Sequence, residues 1–273
     1  MKLSCLPVSL FKEITDGAMS IVDWGRIARD VGLDAIDLSI ILIKNRSPQS
    51  LEETRKQLEE CGMGVTMVTT YPDFTHPDPA QRSREIAKSC DEMAIAAQLG
   101  AKFVRVTAGQ AHPDTGREDG IAWAVKGLTA VAEFAGAHGL TAVFENHYKA
   151  PVWQYTDFSY PTEIFLEIVK RTSGTALGVN WDTANTLAYG DDPVPVLSQV
   201  LDRVSSVHAA ETAERGTLSP VLVGSGLVPF KEMFGMLKGA GFDGWVCIEE
   251  ASQQGKAGIA AATRFIRKTW EEA

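Results

Sequence analysis

The chain predicts an α/β fold of a single closed barrel, with eight parallel strands alternating with helices around one core. Three observations carry that prediction. Eight short β-rich runs recur along 273 residues, separated by longer helical patterns. Several helical stretches end in glycine just before the next run, as in DVGLDAIDL, ECGMGVTMV, QLGAKFVRV, AHGLTAVFE and GAGFDGWVCIE. A glycine past a helix end supplies the left-handed residue that turns the chain back toward a sheet. The length fits one (β/α)8 TIM barrel of roughly 250 residues, and no linker, charge block or low-complexity tract divides residues 1–273.

The expected strands lie at 2–8, 33–39, 64–70, 102–107, 141–145, 176–181, 204–208 and 245–249. Between them, SLEETRKQLEECG and PAQRSREIAKSCDEMAIAAQLG read as helices. An open, doubly wound sheet would normally carry a glycine-rich phosphate loop after its first strand; LPVSLFKE has none. The opening MKLSCLPVSLF is too short and too interrupted, by Pro7 and Ser9, to read as a signal-peptide core. No apolar run approaches the ~20 residues that span a bilayer, and a cytoplasmic protein with no membrane partner is expected. Cys5, Cys61, Cys90 and Cys247 form no C-x-x-C pair and read as small core residues of a reduced protein. The net charge of −9 argues against a nucleic-acid partner.

Four polar residues close four of these strands: Glu145 in TAVFENH, Asp182 in LGVNWDTAN, His208 in VSSVHAA and Glu249 in WVCIEE. Each follows an apolar run, and their spacings of 37, 26 and 41 residues leave room for one βα unit between each pair. In such barrels the chemistry sits at the C-terminal strand ends. A lone acid there is more often a cap or loop residue, and a lone histidine a satisfied interior group. Four in register on consecutive strands form a donor set for one hard or borderline divalent cation: Mn²⁺, Mg²⁺, Co²⁺ or Zn²⁺.

These residues resemble the xylose isomerase-like TIM barrels, in the sugar phosphate isomerase/epimerase branch that includes D-tagatose 3-epimerase. The resemblance runs over nearly the whole chain. It is strongest in FENH (144–147), WDTAN (181–185), VHAAE (207–211), GSGLVPFKEMFGMLKGAGFDGWVCIEE (224–250) and GAKFVRVTAG (100–109). It implies a divalent metal held by Glu145, Asp182, His208 and Glu249, with the two glutamates flanking the substrate and moving protons. Glu249 is preferred to Glu250 because it lies five residues after Gly244 and alternation puts Glu250 on the opposite face. The chain departs from the ketose 3-epimerases in two places: Asn185 stands where several carry a second histidine, and Arg215 falls one position late in H-A-A-E-T-A-E-R.

The implied activity is a sugar isomerase or epimerase acting by proton transfer next to a carbonyl through an enediolate. The same site serves a dehydratase of inosose or dehydroshikimate type; a non-catalytic sugar-binding barrel is a further alternative. A DNA-repair role like that of the endonuclease IV relatives is disfavoured by five histidines and the acidic charge. The expected partner is a small carbohydrate or keto-polyol, and a homo-oligomer stays open. His147, Asn185, Glu211, Arg105 and Trp181 are expected near the substrate, Glu211 also as a partner for His208. Tyr71, Phe74 and Trp153 lie near strand ends, where aromatics can stack on a sugar or simply pack. WQYTDFSY (153–160) reads as a lid or substrate wall. His76, His112 and His138 read as surface or loop residues.

Overall fold

The computed structural model describes residues 1–273. Its elements are, in order, β1 (Lys2–Leu6), α1 (Phe11–Thr15), α2 (Ile21–Asp30), β2 (Ile36–Ser39), α3 (Pro48–Glu60), β3 (Val65–Thr69) and α4 (Pro79–Gln98). Then follow β4 (Phe103–Val106), α5 (Arg117–Ala137), β5 (Thr141–Glu145), α6 (Thr162–Arg171), β6 (Gly178–Asp182) and α7 (Asn185–Tyr189). The chain finishes with α8 (Pro193–Ser198), β7 (Val204–Ala209), α9 (Phe230–Gly239), β8 (Trp245–Glu249) and α10 (Gly255–Glu272).

Local chemistry sets these boundaries. Ser47, Asp78 and Asp192 each cap a helix whose first residue is proline, so the missing N–H falls where no intrahelical partner exists. At the far end of α3, Gly62 takes φ +78°; its N–H reaches the Glu59 carbonyl, and Met63 N–H the Leu58 carbonyl. This closes the helix and launches β3. The first strand stops at Leu6, one residue before Pro7, which has no N–H to give a ladder.

All eight strands are parallel, in the order β1-β8-β7-β6-β5-β4-β3-β2. The remaining seam, between β1 and β2, is closed by Asp34. Its N–H donates to the Leu3 carbonyl at 2.8 Å, and its carboxylate accepts from Leu3 N–H at 2.8 Å. Ser4 Oγ adds a bond to Asp37 Oδ2 at 2.9 Å. No helix is long and apolar enough to cross a membrane.

Successive strand residues face opposite sides, and here the two sides differ in chemistry. Val104, Phe144, Val179, Val207 and Val246 join the apolar layer under the helices, where Phe144 meets Phe165 of α6. The inward positions include Ser4, Asp37, Arg105, Glu145, Asn180, Asp182, Ser206 and His208, all buried. A polar interior this dense must satisfy its own hydrogen bonds. Ser4 bonds Asp37, and Ser206 bonds Asn180, which bonds Glu145, but both ring nitrogens of His208 and Nε of Arg105 are left without a partner.

Helix α5 supports the loops there. A Cβ at Gly120 would come within 2.2 Å of the Phe158 ring, and one at Gly127 within 2.4 Å of the Phe74 ring. Both aromatics seat against bare helix backbone, which fixes the loops that follow β3 and β5.

Candidate functional site

Glu145 ends β5, Asp182 ends β6, Glu249 ends β8, and His208 lies one residue before the end of β7. The register places Asp182 beside His208, and His208 beside Cys247, two residues before Glu249. One ligand-type atom from each of the four lies within 4.8 Å of the others. His208 Nδ1 is 2.9 Å from Glu145 Oε2 and 3.0 Å from Glu249 Oε2. Neither contact has the alignment of a hydrogen bond, and the buried nitrogen has no other partner. Donors that crowd together without bonding one another fit a shared cation. Three carboxylate oxygens and one imidazole nitrogen match a hard or borderline divalent ion.

The charges are unequal. Burial pushes the Glu145 carboxyl up, but Arg105, His208 and His147 outweigh it and hold the group well below the ordinary carboxylate range. Asp182 goes the other way: burial, then the neighbouring Glu145 and Glu249, raise it well above its ordinary value. Burial lowers His208, yet Glu145 and Cys247 more than compensate and raise it well above the usual histidine value. A dication would relieve the carboxylate repulsion directly.

Glu145 is pinned from several sides. Asn180 Nδ2 donates to its Oε2 at 2.6 Å, and Ser206 Oγ donates in turn to Asn180 Oδ1 at 2.6 Å. Arg105 Nε stands 3.5 Å from the same Oε2. Its Nη1 donates to the Thr70 carbonyl at 3.0 Å, and its guanidinium lies 4.7 Å from the centre of the Tyr71 ring. Arg105 therefore faces the interior and braces a glutamate. Glu249 is different: its side chain is 30% exposed against 1% for Glu145.

Asp182 Oδ1 accepts from the N–H groups of Ala184 and Asn185, at 2.9 and 2.7 Å, so the turn into α7 holds the carboxylate. Asn146 fastens β5 to β6, donating to the Asp182 carbonyl and accepting from the Asp182 N–H, at 2.9 and 2.8 Å. His147, two residues after Glu145, is buried between Tyr71 and Trp153, with ring-centre distances of 6.4 and 5.7 Å. Asn185 lines a small cleft with Asn146, Tyr160, Thr162, Phe165 and Thr186.

Two expectations change. Trp181 is completely buried, and it alternates with the inward-facing Asn180 and Asp182. It belongs to the layer under the helices, on the face opposite Asp182. Glu211 does not bond His208; its carboxylate accepts from Thr212, Val228 and Gly224 N–H groups at 3.1, 3.0 and 3.2 Å. It organises the β7–α9 loop instead, passing so close to Gly226 that a Cβ there would lie 2.6 Å from Oε1. Glu250 does point away from the cluster, toward Ser252 at the approach to α10.

The 153–160 segment is bonded along its length to the loop after β4. Phe158 N–H donates to Gly109 O at 2.7 Å, Ala111 N–H to Thr156 O at 2.9 Å, and Gln110 Oε1 accepts from Gln154 and Tyr155. Of the three peripheral histidines, His112 pairs with Asp73 Oδ2 at 2.8 Å. Asn180, Asn146 and Asp157 are absent from the sequence-based expectations. Asn180 had a readable signal: a polar residue two before Asp182 shares its face.

Comparisons place this geometry among known proteins. The inosose dehydratase of Salmonella agona (strain SL483) is 25% identical over 140 residues, 45% of this chain and 44% of the relative. The chain thus matches less than half of that relative's length. D-psicose 3-epimerase from Clostridium cellulolyticum H10 superposes with a TM-score of 0.78 at 15% identity, covering 99% of each chain. The IOLI protein, whose crystal structure holds a bound zinc atom, gives a TM-score of 0.79 at 19% identity, covering 100% of this chain and 99% of its own. At these identities the structural likeness speaks for the fold. The sequence profile described as "Xylose isomerase-like TIM barrel" matches residues 26–269, and the chain belongs to that family.

Proposed function

We propose that the protein is a divalent-metal-dependent isomerase or epimerase of a sugar or related keto-polyol, working by proton transfer beside a carbonyl. The observation that carries this reading is the cluster of Glu145, Asp182, His208 and Glu249 within 4.8 Å, with glutamates from two separate strands. Those four residues would hold the cation. When bound, it supplies a Lewis acid that lowers the cost of negative charge on a carbonyl oxygen.

The chain's own residues carry the proton. Glu249, 30% exposed, is the carboxylate able to reach a carbon at the barrel mouth and accept its proton at Oε. Glu145, held by Asn180 and Arg105, presents a second carboxylate from a different strand. Delivery of a second proton, from protonated Glu145 to the opposite face of the same carbon, gives epimerisation; return of the first proton by Glu249 to the adjacent carbon gives isomerisation. Side chains of the 153–160 segment and of the Tyr71–His147–Trp153 group would border a polyol there.

A second reading, dehydration, is favoured by the inosose dehydratase relatives. It needs the same first proton transfer, followed by expulsion of a β-hydroxyl. The deciding experiment incubates Mn²⁺-loaded protein with ketoses and inososes in D₂O and follows deuterium by NMR. Label at the carbon next to the carbonyl, lost in Glu249→Gln and Glu145→Gln, is the expected result. Product lacking one water selects dehydration. A metal-loaded protein that exchanges nothing in the panel would count against proton transfer.

A further inference from the structure

Asp157 sits in the 153–160 segment with no exposed surface. Its Oδ1 is satisfied by the N–H and Oγ of Ser159, both at 2.7 Å. Its Oδ2 has no hydrogen-bond partner, and neither does the buried Nδ1 of His147, 3.4 Å away. Two unpartnered polar atoms this deep are costly unless they serve each other. The other ring nitrogen, Nε2, makes no bond within the protein and is not among the buried unpartnered atoms, so it opens toward solvent. Residues i and i+2 share a face at a strand end, which carries His147 to the same side as Glu145.

We propose that Asp157 is a positioning residue for His147. It holds the proton on Nδ1 and leaves Nε2 as an acceptor that takes a hydrogen bond from a hydroxyl of the polyol substrate. The 3.4 Å separation is long for a bond, as it often is before substrate tightens a site. The loop geometry supports a precise role. Asp157 N–H is tied to the Tyr148 carbonyl at 2.7 Å, and the adjoining Phe158 is seated on Gly120. The acceptor is thus fixed with respect to Glu145 by the chain on both sides. This inference rests on the keto-polyol reading above for the identity of the hydroxyl, but the proton placement stands apart from it.

The test is Asp157→Asn. Asparagine keeps Oδ1 for Ser159 and turns the other atom into an N–H donor, which faces His147 Nδ1 and demands an acceptor there. In Mg²⁺-loaded protein labelled with ¹⁵N-histidine, with the His147 signals assigned by His147→Asn, long-range ¹H–¹⁵N spectra report the tautomer. The wild type should show Nδ1 protonated and Nε2 bare; Asp157→Asn should move the proton to Nε2. For whichever ketose or inosose exchanges deuterium, kcat/KM should fall about 10–100-fold in the variant, the loss of one strong hydrogen bond. A wild-type His147 protonated on Nε2, or a tautomer that Asp157→Asn leaves unchanged, would overturn the pairing. A switched tautomer with undiminished kcat/KM would overturn the substrate contact. If no panel member exchanges, the proton-transfer reading fails, while the tautomer still decides the pair and a shift of Nε2 on adding D-psicose or an inosose decides the contact.

Discussion

Asp182→Asn should make the metal-free protein more stable and the metal-loaded protein relatively less so. Ligand-type atoms of Asp182, Glu145 and Glu249 lie within 4.8 Å. At that distance and an effective dielectric near 20, each carboxylate pair repels by about 3.5 kcal/mol. Asp182 feels two such repulsions against one attraction to His208, a net of about 3.5 kcal/mol before burial is counted. Protonation of Asp182 relieves part of that, leaving about 1–3 kcal/mol for the substitution to recover. Asparagine keeps Oδ1 for the Ala184 and Asn185 N–H groups, so the turn should survive.

The pH window follows from the direction of the shift. A carboxyl raised by folding costs nothing below its unfolded value of about 3.9 and costs progressively more as pH rises toward its folded value. The variant's advantage should vanish near pH 4 and be present at pH 7, where thermal unfolding in EDTA should show a gain of roughly 2–5 °C. Adding Mn²⁺ reverses the order. At 100 times its dissociation constant, a ligand stabilises wild type by about 2.7 kcal/mol, and the variant should lose most of that. A variant less stable than wild type in EDTA at every pH, or one that keeps the full Mn²⁺ shift, would refute the electrostatic account.

Two further outcomes test the supports of the site. Asn180→Ala removes the 2.6 Å bond to Glu145 and strands Ser206. It should cost about 1.5–3 kcal/mol in denaturant unfolding and weaken Mn²⁺ binding about 10-fold by calorimetry; unchanged affinity would mean Glu145 is held without it. Gly120→Ala drives a Cβ to 2.2 Å from the Phe158 ring and should cost about 1–3 kcal/mol. It should also speed hydrogen exchange across 148–160. Gly136→Ala, on the same helix with nothing within 4 Å, is the control and should be neutral or stabilising by up to about 1 kcal/mol.

The four clustered residues were legible because each closes an apolar run, and glycine-punctuated strands fix where such runs end. The supports were harder to read, for different physical reasons. Asn180 was hidden in plain view: an amide inside a buried strand needs a partner, and its two-residue offset from Asp182 gives its direction. Trp181 was misplaced by the same alternation, since adjacency to Asp182 along the strand means the opposite face across it. Glu211 follows His208 by three residues, but the chain has left the strand by then, and backbone amides of a long loop claim its carboxylate. Asp157 offered no local signal at all. Its place depends on a bridge to Gln110 and on where α5 lacks side chains, both products of packing between distant segments.

The two glutamates read alike in sequence, as acids at the ends of apolar strands, and the fold makes them unlike. Glu145 is enclosed, bonded by Asn180 and faced by Arg105 and His208, which hold its charge. Such a carboxylate is a poor proton acceptor in its resting state, because Arg105, His208 and His147 together outweigh burial in favouring the ionised form. Glu249 is partly open, and the one partner the cluster gives it is the unaligned contact with His208. Under the proposed reaction, this asymmetry favours Glu249 for the first proton transfer and keeps Glu145 ionised until that transfer has occurred. Glu249→Gln should therefore abolish exchange with modest loss of Mn²⁺ affinity, and Glu145→Gln should lose both together.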